Sequence, residues 1–209
     1  MALTTYATLQ VAVADLLNRS DLTDVIPDWV DLVEAELNRI LEGRPMRTEL
    51  DVDFDTTGRL TVPTDFLRPV TLILNTDLYK WPVEVKPYEF LVQKQQQLVN
   101  GPPRYVTLVG DQFILAPTPD STYAGVLVYD AVLAPLSDTQ TTNWVLTKYP
   151  DVYLYGCAFH SAPYLKDEER MAMWESLYRK AVDQIRVIAQ QSEFGVNTPI
   201  CRPVSALGV

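Results

Sequence analysis

The chain has 209 residues, of which 47% are hydrophobic and 21% are charged, and its formal net charge is −10 at pH 7. This length suits one domain or two small ones, and the hydrophobic share excludes a wholly disordered chain. Proteins that grip nucleic acid by neutralising phosphates are basic, so the acidic balance argues against that class. If this protein meets DNA, we expect it to let DNA pass rather than hold it.

The acidic side chains are unevenly distributed. Residues 1–44 carry eight acids and three bases, residues 45–142 carry twelve and seven, and residues 143–209 carry seven of each. The neutral last third is a candidate contact surface for another protein. The N-terminus lacks the basic and apolar regions of a signal peptide, and no apolar run approaches the ~18 residues of a membrane span. We therefore expect a soluble protein made in the cytoplasm, with no membrane partner.

Two amphipathic helices are predicted at the start of the chain. Apolar residues recur at helical spacing over residues 5–18, and again from Pro27 to a stop at Gly43. Proline is tolerated in the first turn of a helix, which supports the second start. The pair reads as an antiparallel helical hairpin whose apolar stripes need a partner surface.

The sequence pattern of residues 45–142 predicts a β domain. Leu50, Val52 and Phe54 alternate with acidic residues, which is the period of a half-buried strand. A mostly antiparallel sandwich or barrel of about six strands is predicted, with a helix over Pro87–Gln97 laid on the sheet. The other predicted strands are Arg59–Val62, Pro69–Leu74, Leu78–Val85, Arg104–Val109, Gln112–Ala116 and Tyr123–Val132.

Helices return after the β region. Asn143 can cap a short helical turn, and Pro150 can begin the next helix. Residues 152–162 are apolar or small almost throughout, which predicts a helix buried on all sides that ends or kinks at Pro163. A last helix begins at Asp167, and its apolar seam is predicted to comprise Met171, Trp174, Tyr178, Ala181, Ile185 and Ile188.

The predicted fold class is α+β. A helical bundle formed by residues 1–44 and 143–192 carries an inserted β domain of residues 45–142. Residues 193–209 contain Gly195, Pro199 and Pro203 and are predicted to form an extended tail. This tail is rich in apolar residues, so we expect it to occupy a groove on its own chain or on a partner.

The residues that could carry chemistry do not form an active-site pattern. His160 lies in the most apolar helix, with no nucleophile or orienting acid near it in sequence, and is interpreted as a core or interface histidine. Asp51, Asp53 and Asp55 lack the glycine and glutamate that a calcium loop requires, and are interpreted as the solvated face of a strand. The glycines form no phosphate-binding pattern. We expect no catalytic residues, no metal and no cofactor.

Two other function classes remain open at this point. A β-sandwich module could bind carbohydrate or protein through aromatic residues such as Tyr79 and Trp81. A hydrolase could be hidden in the helical lobe around His160, although nothing in the sequence favours an enzyme.

One stretch of the sequence is more specific. Asn143–Gly156 (NWVLTKYPDVYLYG), Ala162–Arg170 (APYLKDEER), Trp174 and Tyr178 resemble the C-terminal signature of tailed-phage head–tail connector adaptors. These are the adaptors of short-tailed phages and gene transfer agents, related to tail tubular protein A. The close match covers about 40 residues, and the helix–β–helix order is similar over most of the chain.

The resemblance implies a structural virion protein at the neck, the head–tail interface. Such adaptors form a dodecameric ring beneath the portal protein, extend the DNA channel and offer a platform for the next neck or tail protein. DNA passes through without specific binding, which the net charge of −10 fits. The residues predicted to form the subunit and portal interfaces are Trp144, Tyr149, Tyr153, Tyr155, Tyr164, Phe194, Val196, Ile200, Val204, Leu207 and Val209.

Overall fold

The computed structural model describes residues 3–75, 80–97 and 99–194. It divides into two compact units. The helical unit comprises the residues up to Pro45 and those from Leu133 onward, and the β unit comprises Met46–Val132. Helices together with a seven-stranded, nearly closed sheet confirm the predicted α+β class.

The elements of the described residues follow the predicted order along the chain. In sequence they are α1 (Tyr6–Leu17), α2 (Ile26–Ile40), β1 (Arg47–Phe54), β2 (Arg59–Thr61), β3 (Phe66–Asn75), β4 (Lys80–Val85), α3 (Tyr88–Gln97), β5 (Tyr105–Val109), β6 (Gln112–Ala116), β7 (Tyr123–Ala131), α4 (Trp144–Lys148), α5 (Pro150–Leu165) and α6 (Glu168–Phe194). A 3-10 turn at Arg44–Met46 leads into β1.

The ends of α1 and α5 are defined by local hydrogen bonds. The Thr5 side chain accepts from the Thr8 backbone N–H and the Thr8 hydroxyl side chain accepts in return, which is a capping box. Asn18 ends α1 and Lys166 ends α5, both in the left-handed conformation that closes a helix. The helix α5 was predicted to end or kink at Pro163, and it continues past that residue to Leu165.

The helix α5 packs closely on two other helices of its unit. A Cβ added at Gly156 would lie 2.7 Å from Val33 Cγ2 on α2 and 3.0 Å from Tyr178 Cε2 on α6. Only a glycine lets the three helices approach this closely. The prediction that residues 152–162 form a helix buried on all sides was wrong, because Leu154, Tyr155 and Phe159 keep part of their surface exposed.

The buried seam of α6 differs from the predicted one at its C-terminal end. Tyr178, Ala181 and Ile185 are buried as predicted, but Ile188 is 45% exposed and Ala189 is buried instead. A straight helix drifts relative to a strict 3–4 repeat, so the inward position moves by one residue after several turns. The helix continues to Phe194, so residues 193 and 194 are helical, and the rest of the predicted tail lies outside the described residues.

The β unit is a single sheet with the strand order β1-β7-β3-β4-β5-β6-β2. All its pairings are antiparallel except β4 with β5, which is parallel. The two end strands, β1 and β2, are joined by a short turn, so the sheet curls into a nearly closed barrel. Its interior is filled by Val52, Phe54, Leu72, Leu74, Val83, Val106, Phe113, Leu115, Leu127 and Tyr129.

The chain returns from the β unit through residues 133–142, which were predicted to belong to the β domain. In the structure this segment groups with the helical unit. The backbone N–H of Leu133 donates to Asn38 Oδ1 at 2.8 Å, and that of Leu136 donates to Glu34 Oε1 at 3.0 Å. Polar side chains on α2 therefore hold this irregular segment, which has no strand partner for its N–H groups.

Candidate protein-interaction surface

The junction between α4 and α5 presents two aromatic side chains. Asn143 caps α4, since its Oδ1 accepts from the Leu146 N–H at 2.9 Å. Tyr149 ends α4 and precedes Pro150, the first residue of α5. The rings of Trp144 and Tyr149 meet edge to face, with centroids 6.4 Å apart, and both are half-buried. Such paired rings expose apolar area at little entropic cost, which suits a protein interface.

Two further aromatic pairs lie on α5. Tyr155 stacks on Trp174 of α6 at 6.3 Å, and both side chains are half-buried. Tyr164 packs its edge against Trp29 at 5.8 Å and is 58% exposed. We call Trp144, Tyr149, Tyr155, Tyr164 and Trp174 the aromatic set of the helical unit. Four of these five were predicted as interface residues, and the structure leaves each of those four with surface available to a partner.

Tyr153 is a correction to the predicted interface. Its side chain is fully buried inside the helical unit. Its hydroxyl donates to Glu34 Oε1 at 2.8 Å and accepts from Asn143 Nδ2 at 2.6 Å. Tyr153 therefore belongs to the core of one protomer, because its position on α5 faces α2.

Glu34 is the centre of that buried network and was not recognised from the sequence. Besides Tyr153, it accepts from the Leu136 backbone N–H and from Asn143 Nδ2 at 3.4 Å. Asn143 Nδ2 also donates to the Ala134 carbonyl at 3.0 Å. Burial raises the pKa of Glu34 above its ordinary value, because no cationic side chain offsets the desolvation of its carboxylate within the described residues. The signal that could have found it is a lone glutamate on the apolar stripe of α2.

His160 is half-buried beside an acid. Its Nε2 lies 3.3 Å from Glu36 Oε2. Burial lowers its pKa below the ordinary value, and Glu36 opposes that shift only in part. Burial also raises the pKa of the nearby Cys157 thiol, so that side chain is held as the neutral thiol. The structure thus places His160 beside Glu36, and its interpretation as a core or interface histidine stays a prediction.

The remaining candidate sites are a metal site and the aromatic residues Tyr79 and Trp81. Among residues 3–75, 80–97 and 99–194, no group of three or more His, Cys, Asp or Glu side chains could hold a metal ion. Trp81 is half-buried against the barrel core, and its indole N–H points to the Pro103 carbonyl at 3.4 Å. The same side chain lines a cleft of about 410 Å³, so a binding role for Trp81 stays a prediction. Tyr79 lies outside the described residues.

The predicted interface residues of the tail are not placed. Phe194 is the last residue of α6, and nothing is described of its side chain. The others lie outside the described residues, and they are Val196, Ile200, Val204, Leu207 and Val209.

The solvent face of α6 carries apolar side chains that were not predicted from the sequence. Met173, Val187 and Ile188 are each about half exposed. The helical spacing of apolar residues identifies the buried stripe of a helix. It does not predict apolar residues scattered on the solvent face.

The comparison with known families identifies the class of protein. The family model for the SU10 adaptor protein matches residues 4–203 of the chain. The chain therefore belongs to the SU10 adaptor protein family, a phage head–tail adaptor family, as the signature at Asn143–Tyr178 indicated. No curated protein matches the sequence significantly. Within the described residues, none of the helices is both long enough and apolar enough to cross a membrane.

Membership of this family makes the protein a structural adaptor of a phage. Such adaptors associate with portal and tail proteins, and their place is in the virion. The family is a structural one and is normally non-enzymatic.

Proposed function

We propose that this protein joins capsid to tail as a ring beneath the portal, and that the ring extends the DNA channel. The observation that carries the proposal is the family match over residues 4–203, together with the partly exposed aromatic set of the helical unit. We further propose that twelve copies form the ring, as the resemblance to head–tail connector adaptors implies.

The aromatic set supports contacts between protein surfaces. Tyrosine and tryptophan are enriched at the energetic centres of interfaces, because each buries a large area with few rotatable bonds. We propose that Trp144, Tyr149, Tyr155 and Tyr164 contribute to contacts with neighbouring subunits or with the portal. The charge balance of residues 143–209, with seven acids and seven bases, supports the same assignment.

The C-terminal segment supports contact with the portal. Its apolar residues are Val196, Ile200, Val204, Leu207 and Val209. We propose that this segment docks on the portal, where burial of those side chains offsets the entropy lost on ordering.

The experiment combines purified protein with portal rings of the same phage and images the mixture by electron microscopy. We expect a second ring stacked on the portal ring. A chain truncated after Phe194 retains all of α6, and we expect it to bind portal at least about tenfold more weakly. Absence of a stacked ring with the full chain would contradict the proposed function.

Matched variants separate the two proposed contact regions. Ile200→Ser with Val204→Ser should weaken portal binding, whereas Thr198→Ala with Ser205→Ala should not. Tyr164→Asp places a charge on the aromatic set and should prevent ring formation. Tyr88→Asp is its control, because Tyr88 on α3 of the β unit is 50% exposed. Equal behaviour of the two tyrosine variants would remove Tyr164 from the interface.

A further inference from the structure

The β unit carries opposite charges on different strands. Residues 80–105 contain four basic and two acidic side chains, whereas the rest of the unit contains three basic and nine acidic ones. More than half of the basic side chains of this unit are therefore concentrated in one part of its sequence. Attraction to an acidic partner surface is the physical effect that such a distribution produces.

The basic region surrounds a groove. Two clefts of about 290 and 410 Å³ share Arg104 and Tyr105 as lining residues. Lys94 of α3 lines one cleft and Pro82 of β4 lines the other, and Lys80 is exposed two residues away on β4. We call Lys80, Pro82, Lys94, Arg104 and Tyr105 the basic groove.

The cations of the groove are available to a partner. Within the described residues, the guanidinium of Arg104 has no acidic partner, and its side chain is exposed. Lys94 lies over the Phe90 ring at 5.6 Å and donates to Gln97 rather than to a carboxylate. Glu84, the acid that lines the groove, is paired with Lys86 at 2.9 Å. The groove therefore presents uncompensated positive charge beside apolar side chains.

The complementary surface is on β1. Val52 and Phe54 point into the barrel core, so Glu49, Asp51 and Asp53 point outward by the alternation of a strand. All three are exposed, and within the described residues none of them makes an ion pair. We call these three residues the acidic strand. β1 stands at one end of the strand order, and among the described strands its one pairing partner is β7.

The strand order places the two surfaces on opposite sides of the barrel. From β1, the strand β4 is three steps away through β7 and β3. Because β1 and β2 close the barrel, β5 is also three steps away in the other direction, through β2 and β6. Two different surfaces on opposite sides of one unit allow a head-to-tail contact, which generates rings.

We propose that the acidic strand of one protomer docks on the basic groove of the next copy of this chain, so that β units associate head to tail. This proposal rests on the proposed ring-forming function and names the contact that would connect its subunits. A two-fold contact would instead place acid against acid or base against base, which costs association free energy.

Two charge-reversal variants of the full chain test the contact. The groove variant carries Lys80→Glu, Lys94→Glu and Arg104→Glu, and the strand variant carries Glu49→Lys, Asp51→Lys and Asp53→Lys. In the groove variant both contact surfaces are acidic, and in the strand variant both are basic. The self-association of either variant alone should therefore be at least about tenfold weaker than that of the wild-type chain. An equimolar mixture restores opposite charges at every contact and should associate again. Sedimentation velocity at low ionic strength measures all three samples.

A control variant carries Asp111→Lys and Asp120→Lys, which reverse exposed acids of the same unit outside the acidic strand. It should associate like the wild-type chain. The circular dichroism and thermal unfolding of each variant confirm that it is folded.

Three results would overturn the proposal. One is wild-type self-association in either reversal variant alone, and another is a mixture that fails to associate. The third is a wild-type chain that remains monomeric at about 1 mM, the range of the weakest specific contacts. A portal complex of the wild-type chain with any of these results would leave the proposed function standing. Charge-dependent association without a portal complex would support the contact between β units and contradict the proposed function.

Discussion

Glu34 is the single side chain on which several parts of the helical unit depend. It accepts hydrogen bonds from Tyr153 on α5 and from the backbone of Leu136 in the returning segment. It is also within 3.4 Å of Asn143, which caps α4. The two donors require a hydrogen-bond acceptor at this position. They do not require a negative charge, and within the described residues no cation balances the buried Glu34 carboxylate.

We predict that Glu34→Gln and Glu34→Ala differ strongly. Glutamine keeps an acceptor oxygen and loses the charge, so its free energy of unfolding at neutral pH should equal or exceed that of the wild-type chain. Alanine leaves the Leu136 N–H and the Tyr153 hydroxyl without an acceptor, which should cost about 2–3 kcal/mol. Urea unfolding measures both.

The pH dependence follows from the raised pKa of Glu34. The folded chain holds the Glu34 proton more tightly than the unfolded chain, whose ordinary pKa is 4.5. Stability from this group is therefore present at low pH and is lost as pH rises from that ordinary value through the raised one. The wild-type chain should lose stability relative to Glu34→Gln over this interval. A constant difference would contradict the prediction, and Glu89→Gln, at an exposed glutamate of α3, is the control.

At the scale of elements, the close packing of α5 against α2 and α6 decides the geometry of the helical unit. Gly156 is the point of closest approach, because the position of a Cβ there is already occupied by Val33 and Tyr178. Helix propensity alone would favour alanine by about 1 kcal/mol. The branched side chain of Val33 cannot rotate freely to make room, so the clash should outweigh that gain.

We predict that Gly156→Ala destabilises the protein by about 1–3 kcal/mol. Gly101→Ala is the control, because an added Cβ at Gly101 meets nothing within 4 Å. Combining Gly156→Ala with Val33→Ala should cost less than the sum of the two single changes, since the two positions are in contact. Thermal unfolding measures the series, and a Gly156→Ala chain more stable than the wild type would contradict the packing argument.

At the scale of the whole molecule, the net charge of −10 bears on the proposed channel. A ring that DNA must traverse should not hold phosphates, and the acidic subunits of the proposed ring would repel them within about 8 Å, the Debye length at physiological salt. We predict no binding of labelled duplex DNA in fluorescence anisotropy at physiological salt. The strand variant, which exchanges three acids for three lysines, is the comparison and should bind DNA more tightly at low salt. Micromolar binding by the wild-type chain would contradict free passage.

Local sequence patterns predicted most of the elements of this protein. The cap at Asn143, the helix start at Pro150 and the strand Gln112–Ala116 were correct, and the start predicted near Pro27 lies one residue earlier, at Ile26. Each depends on residues within a few positions along the chain, where side-chain chemistry acts directly on the backbone. The signature at Asn143–Tyr178 also identified the family.

The side chains that face outward were decided by tertiary packing. The sequence predicted Tyr153 as an interface residue and Ile188 as a seam residue, and the structure buries the first and exposes the second. An aromatic or aliphatic residue at helical spacing suits either environment, and the partner helices determine which one it meets. The position of Glu34 and the placing of the acidic strand opposite the basic groove depend on contacts between residues far apart in the chain. The sequence by itself therefore determined the elements and the family, and only the tertiary structure decided which residues remain available to partners.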